Sequence, residues 1–301
     1  MRVVLTGASG FVGSNIAKVL SDVHGDDVIT DRVDLFDADA IGRHVASAGA
    51  DGVIHCAIVN DWDRMLADRH WAWDAYVSST RAYAEAALGV GAGFVLVSTD
   101  WVFDGTQGPA TEDEPPNPVN LYGFLKASAE LVTLERNGAV ARVSGVNGTH
   151  WSRPTTPRAQ DPGFGYFVAS LVAALEAGQP FTVWEADDIN MVASPSLASM
   201  CGEVMRAILG QDQNGIFHCC GADSVTRREL AYAAADVFDL DRGLLRFAPP
   251  PERTPMPIPY DTSLDASATA ERLGYPLPGL RELLTAFRTE RHKGRVTSFL
   301  A

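Results

Sequence analysis

A short apolar run, Val3-Val4-Leu5, leads into Thr6-Gly7-Ala8-Ser9-Gly10-Phe11-Val12-Gly13, three glycines spaced by three. Val12, Ile16, Val19 and Leu20 then recur at helical spacing. A buried strand that turns on glycine straight into a helix admits few architectures. Glycine permits the tight turn and a close backbone approach to a ligand. The helix start offers unpaired N–H groups and the positive end of its dipole. Together these suit a pyrophosphate. An ordinary glycine-rich turn has the same composition, so the rest of the chain has to decide.

Strand signals continue at 28–30, 52–57, 93–98 and 140–143, and helix signals at 39–48, 71–88 and 121–136. A polar, proline-containing loop covers 104–120. Strands alternating with helices predict βαβ units and a parallel sheet with helices on both faces. The expected fold class is α/β, a Rossmann-type doubly wound parallel sheet. Beyond residue 147 the regularity weakens. There 147–165 reads as loop, 166–177, 196–209, 226–238 and 279–291 as helices, and 182–185 and 217–220 as strands. Six prolines in 248–259 exclude a helix. The expected division is a dinucleotide-binding domain over 1–147 and a smaller substrate-binding lobe over 148–301, partly interleaved with it.

The 301 residues suffice for one large domain or a domain plus a lobe. A net charge of −14 argues against nucleic acid, which needs clustered Lys and Arg. A local group of Arg and N–H donors would still hold a diphosphate. Cys56, Cys201, Cys219 and Cys220 make no CxxC pair, and no two histidines fall at H-x-x-x-H spacing, so no metal site is expected. The chain starts without a charged stretch before a long apolar one, and no run reaches the ~18 residues of a membrane span. A soluble, cytoplasmic protein is expected.

Asp31 and Arg32 close the second predicted strand. An acidic side chain there holds ribose hydroxyls, whereas an arginine accepts a 2′-phosphate. The pair leaves NADP or NAD open, with NADPH slightly favoured. Asp34, before Leu35, reads equally as an adenine contact or a turn residue.

Tyr122-Gly123-Phe124-Leu125-Lys126 puts Tyr and Lys on one face of a predicted helix. A phenol with pKa near ~10 exchanges protons poorly at neutral pH, and a neighbouring ammonium favours the phenolate. The same lysine reaches the ribose of a bound nicotinamide nucleotide. The spacing alone also fits a surface pair. Ser98-Thr99-Asp100 sharpens it, because it ends a strand where doubly wound sheets bind ligands. A hydroxyl there orients a carbonyl that Tyr122 protonates; Thr99 is the better candidate and Ser98 the alternate.

Ser98-Thr99-Asp100-Trp101-Val102-Phe103-Asp104-Gly105, Glu112-Asp113-Glu114-Pro115 and Asn120-Leu121-Tyr122-Gly123-Phe124-Leu125-Lys126 resemble the dTDP-4-dehydrorhamnose reductase family of extended short-chain dehydrogenases. His55-Cys56-Ala57, Arg142-Val143-Ser144-Gly145-Val146, Asp261-Thr262-Ser263-Leu264-Asp265 and Leu273-Gly274-Tyr275 extend the likeness over most of the chain. The resemblance implies hydride transfer from NAD(P)H to the C4 ketone of a nucleotide-linked 6-deoxysugar. It implies Tyr122 as proton donor, Lys126 as the group that lowers its pKa and binds ribose, and Thr99 as the carbonyl's partner. Implied cofactor contacts are Gly7, Ser9, Gly10, Phe11, Val12, Gly13, Asp31, Arg32, Asp34, Leu35, Cys56, Ala57, Ser98, Tyr122 and Lys126. Implied substrate contacts are Asp100, Trp101, Val102 and Phe103.

Two places depart from the family. Tyr76 stands about where these enzymes often carry Asn, and the loop His150-Trp151-Ser152-Arg153-Pro154 is unusual. Trp151 and Arg153 read as a base-stacking and diphosphate-pairing pair, or equally as an ordered loop packed on the lobe. Trp62, Trp71 and Trp73 read as core or interface, and His55 as structural. A 4,6-dehydratase is disfavoured, because Trp101 stands where those enzymes place Glu. An epimerase stays open. A non-catalytic regulatory subunit is a third class, since the beta subunit of methionine adenosyltransferase resembles the same reductases; the intact Thr99, Tyr122 and Lys126 favour an enzyme. The expected partners are a small-molecule ketone, no nucleic acid, no membrane, and a homodimer, a state common among related enzymes.

Overall fold

The computed structural model describes residues 1–59, 61–154, 159–254 and 256–299. The first half runs β1 (Arg2–Thr6), α1 (Phe11–Lys18), β2 (Asp27–Ile29), α2 (Ala38–Ala48), β3 (Gly52–His55), α3 (Trp62–Ala67), α4 (Arg69–Trp73), α5 (Ser79–Gly89), β4 (Gly93–Thr99), α6 (Leu121–Leu134) and β5 (Ala139–Val143). The second runs β6 (Val146–Asn147), α7 (Phe167–Glu176), β7 (Phe181–Trp184), β8 (Val192–Ala193), β9 (Ser196–Leu197), α8 (Ala198–Gly210), β10 (Gly215–Cys219), β11 (Val225–Thr226), α9 (Arg227–Val237), β12 (Leu245–Ala248), β13 (Asp261–Thr262), α10 (Ser267–Leu273) and α11 (Leu280–Lys293).

Six strands form one parallel sheet in the order β10-β5-β4-β3-β1-β2. Successive side chains of a strand feed opposite faces. Val3 and Leu5 pack with Ile16, Leu20, Val204 and Ile208 of α1, the turn after it and α8, while Val4 packs with Ile41, Val45, Tyr83 and Ala87 of α2 and α5. This is the expected α/β class, a Rossmann-type sheet covered on both faces. The strand order reverses between β1 and β3, and ligands of doubly wound folds bind outside the carboxyl ends of such strands.

The outermost strand, β10, comes from the second half and pairs with β5 from Gly215↔Ala139 to Cys219↔Val143. Residues of α8 and α10 return with it to the sheet's core. A separate core gathers Phe167, Leu171, Val183, Leu230, Leu284 and Phe287.

Two local differences from expectation have physical causes. The helix predicted over 71–88 is interrupted by a π-helical turn, Asp74–Ser78, between α4 and α5. Such turns widen the helix by one residue, and the spacing of apolar residues does not reveal them. The third strand stops at His55 rather than 57, because the N–H groups of Cys56 and Ala57 turn to Thr6 Oγ1 at 3.1 and 3.0 Å. Among the described residues no helix is long and apolar enough to cross a membrane, and no three His, Cys, Asp or Glu residues group as metal ligands.

Candidate active site

Gly7 leaves β1 at φ +70°, and a Cβ there would stand 2.8 Å from the backbone of Cys56 and Ala57. A Cβ on Gly13 would stand 2.2 Å from the Gly7 carbonyl oxygen. The loop itself therefore needs these two glycines. Gly10 differs: it is exposed, and its Cβ would meet only that carbonyl, at 3.2 Å. Gly10 caps α1 with no side-chain hydrogen bond, so no cap side chain claims the N–H groups of the first turn. Ser9 is exposed, Phe11 and Val12 are half-buried, and the Phe11 ring lies 4.8 Å from Tyr166.

The β3 end forms the other wall. Thr6 Oγ1 also hydrogen-bonds His55 Nδ1 at 2.8 Å, and burial takes the His55 pKa down to about 3. The imidazole is thus neutral and structural. Burial pushes the Cys56 thiol up to about 11, so it is not a ready thiolate. Asp31 and Arg32 are exposed just past β2. Asp34 Oδ1 accepts the Phe36 N–H at 3.0 Å, which makes it a turn residue, and Leu35 packs on the α2–α5 core.

The α6 helix starts where Asn120 Oδ1 accepts the Gly123 N–H at 2.9 Å. A Cβ on Gly123 would stand 2.1 Å from the Trp101 carbonyl oxygen, so glycine lets α6 lie directly against the end of β4. Across that contact the Thr99 hydroxyl pulls the Tyr122 pKa down, against the larger effect of burial. One turn on, Lys126 Nζ donates to Val97 O at 2.6 Å and is 5% exposed. Burial draws its pKa down to about 8.

Burial raises the Tyr122 phenol above its ordinary value, and the Asp100 charge raises it further. The lowering expected from Lys126 does not appear among the causes of the shift; its ammonium donates to the Val97 carbonyl. A phenol held high stays protonated at neutral pH, which suits a proton donor.

Three rings surround Tyr122: Trp62 at 5.6 Å, Tyr76 edge-on at 6.0 Å and Trp101 edge-on at 6.1 Å. The Tyr76 hydroxyl donates to Val59 O at 2.9 Å. Trp62, read from the sequence as core or interface, therefore belongs to this site; its only sequence signal is an aromatic beyond the third strand. Trp101 also reaches the second half, where a Cβ on Gly163 would stand 3.1 Å from its indole.

The residues beside Thr99 point elsewhere. Ser98 faces the other side of β4 and donates to Glu130 Oε1 at 2.5 Å, beside the buried Glu130–Arg142 ion pair at 2.8 Å. Asp100 is buried and accepts hydrogen bonds from three hydroxyls. Val102 and Phe103 are also buried, Phe103 with the Arg142 guanidinium 5.0 Å from its ring. Of the expected substrate contacts beyond β4, Trp101 keeps a partly exposed side chain, while Asp100, Val102 and Phe103 are given over to internal contacts. Trp151 Nε1 donates to Asn15 Oδ1 at 2.9 Å, with the Lys18 ammonium 5.3 Å from its ring. The loop is thus ordered against α1 through Trp151 and against the second half through His150, whose ring stacks on Tyr166, and Arg153 beyond it is exposed.

The sequence matches the RmlD substrate-binding domain family over residues 1–292. It is 28% identical to the methionine adenosyltransferase 2 subunit beta of Xenopus tropicalis, over 96% of this chain and 89% of that one. It is also 28% identical to the dTDP-4-dehydrorhamnose reductase of Mycolicibacterium smegmatis, over 94% of this chain and 84% of that one. The fold is similar to that of a Bacillus anthracis dTDP-4-dehydrorhamnose reductase solved in complex with NADP, with TM-score 0.78, 21% identity, and 96% and 98% of the two chains covered. The family match runs from the first strand into the last helix, and the chain belongs to the RmlD substrate-binding domain family.

Proposed function

We propose that the protein is an NAD(P)H-dependent reductase that adds hydride to a ketone of a nucleotide-linked sugar, with Tyr122 donating the proton. The observation that carries this reading is the meeting of Thr99, Tyr122 and Lys126 where β4 abuts α6. Family membership and the likeness to the M. smegmatis reductase support it.

The cradle fits a dinucleotide. Gly7 and Gly13 close the loop, Gly10 leaves its backbone open, and the first turn of α1 offers N–H groups to a diphosphate. Lys126 spends one hydrogen on Val97 O and has two left for ribose hydroxyls. Arg32, exposed beyond β2, suits a 2′-phosphate, so NADPH is favoured over NADH. The reduced nicotinamide, when bound, supplies the hydride. Tyr122 then gives its phenolic proton to the ketone oxygen, while Trp62 and Trp101 offer apolar faces to the sugar ring.

The test is fluorescence titration with NADPH and NADH, followed by cofactor oxidation with dTDP-4-keto-6-deoxyglucose. Tighter NADPH binding and ketone-dependent oxidation are expected; failure to bind either nucleotide overturns the reading. A second reading, a non-catalytic NAD(P)-binding subunit, is favoured by the equal likeness to the methionine adenosyltransferase 2 subunit beta. Nucleotide binding without turnover over a panel of keto-sugars, together with a co-purifying larger partner, would support it.

A further inference from the structure

A nucleotide-linked sugar needs, besides room for its ketone, a place for a diphosphate and a base. Trp151 lies against α1, on the side where the dinucleotide's own diphosphate is expected. An open groove of about 430 Å³ lies elsewhere in the second half, between the loop after β7 and the proline-rich segment before β13. It is lined by Asp188, Arg253, Thr254, Met256, Pro257 and Ile258. That volume falls within the ~300–1,000 Å³ of small-ligand sites.

Two ties set the groove beside Tyr122. Asn120, whose Oδ1 caps α6 two residues before Tyr122, donates from Nδ2 to Pro257 O at 3.0 Å. On the other side Asn190, two residues after Asp188, donates its N–H to Pro162 O at 3.0 Å. Next to Pro162 stands Gly163, where a Cβ would lie 3.1 Å from the Trp101 indole, and Trp101 is edge-on to Tyr122. This wall is held firmly. Arg227, fully buried at the head of α9, donates from Nε to Asn190 O at 2.7 Å and from Nη2 to Asp161 O at 2.9 Å and to Gly163 O. Asn190 Nδ2 in turn bonds Pro259 O and Tyr260 O, each at 3.2 Å. Six prolines over 248–259 stiffen the segment that carries Arg253 and Met256.

The groove divides into two chemistries. Met256 and Ile258 are half-buried and apolar, with Pro257 between them, and suit the flat face of a base. Arg253, its side chain 93% exposed, reaches Asp188 at 3.6 Å, itself 46% exposed. An ion pair so open to water is weak, and a guanidinium forks onto a phosphate as well as onto a carboxylate. We propose that this groove holds the nucleoside diphosphate of the substrate, with Arg253 exchanging Asp188 for the diphosphate and the base lying on Met256, Pro257 and Ile258. The proposal rests on the reading of the substrate as a nucleotide-linked sugar. Asp188 is then a competitor: it holds Arg253 until the nucleotide arrives, and its charge opposes the diphosphate that takes its place.

The probe is dTDP, titrated calorimetrically into the NADPH-loaded full chain. Arg253→Met is expected to weaken dTDP binding about tenfold or more and to leave NADPH affinity unchanged. Asp188→Asn is expected to tighten dTDP binding roughly two- to fivefold, because it frees Arg253 and removes a like charge. Opposite signs from the two partners of one ion pair mark a ligand site, since a pair that only braced the segment would weaken binding from either end. Both side chains are exposed, and thermal midpoints equal to wild type check that the variants fold. Unchanged dTDP affinity in Arg253→Met overturns the proposal, as does weakening by both variants. Loss of dTDP affinity in Arg153→Met with none in Arg253→Met also overturns it, and leaves the nucleotide-linked substrate standing. A wild type that binds NADPH but no dTDP refutes that substrate, and the assignment of the groove with it.

Discussion

Lys126 meets two opposed demands. Burial lowers its pKa to about 8 from the ordinary 10.5. Between those values the unfolded chain holds a proton that the folded chain has released, so this group makes stability rise with pH across that window. Below about 8 the buried charge costs stability. Binding of an anionic cofactor runs the other way, because it uses the ammonium. Lys126→Met is expected to raise the thermal midpoint at neutral pH, by a margin that shrinks toward alkaline pH, while weakening NADPH binding about tenfold or more. Calorimetry and fluorescence titration over the same pH series check both; unchanged affinity would remove Lys126 from the cofactor's surroundings. Thr99, Tyr122 and Lys126 were legible because a strand end and an i,i+4 spacing are local signals. Asp100's hydroxyl partners were not, since Ser144 and Thr262 stand 44 and 162 residues away. Trp62 reaches Tyr122 only through the packing of α3, which no spacing encodes.

The loop between β1 and α1 separates what the fold needs from what a ligand needs. Gly13→Ala forces a Cβ against the Gly7 carbonyl at 2.2 Å and is expected to lower the thermal midpoint markedly. Gly10→Ala meets the same oxygen at 3.2 Å, a small adjustment. It is expected to leave the midpoint nearly unchanged while weakening NADPH binding, because the methyl stands where the backbone approaches the diphosphate. If both variants lost stability equally, Gly10 would be a folding residue and the cradle assignment would fall. The strands of the central sheet were legible from apolar runs bounded by glycine, as in 93–98 against the observed Gly93–Thr99. The paired strands Val146–Asn147, Val192–Ala193, Ser196–Leu197, Val225–Thr226 and Asp261–Thr262 were not, because two residues carry no periodicity.

Across the whole molecule, the chain crosses back over its own midpoint. The strand signal at 217–220 was visible, but its place beside β5 was not, because pairing across some 70 residues leaves no local trace. With β10 come Val204, Met205 and Ile208 of α8, which cover Val3, Leu5, Ile16 and Leu20. We therefore expect a fragment of residues 1–147 not to fold alone, and circular dichroism with amide exchange should find it without a protected core; a cooperatively folded fragment would contradict this. What the intact molecule does is tested most directly by comparing wild type with Tyr122→Phe in NADPH oxidation with dTDP-4-keto-6-deoxyglucose. The account predicts nearly unchanged NADPH affinity and turnover reduced by ~10²-fold or more, the scale of a lost general acid. Wild-type turnover in the variant would contradict it.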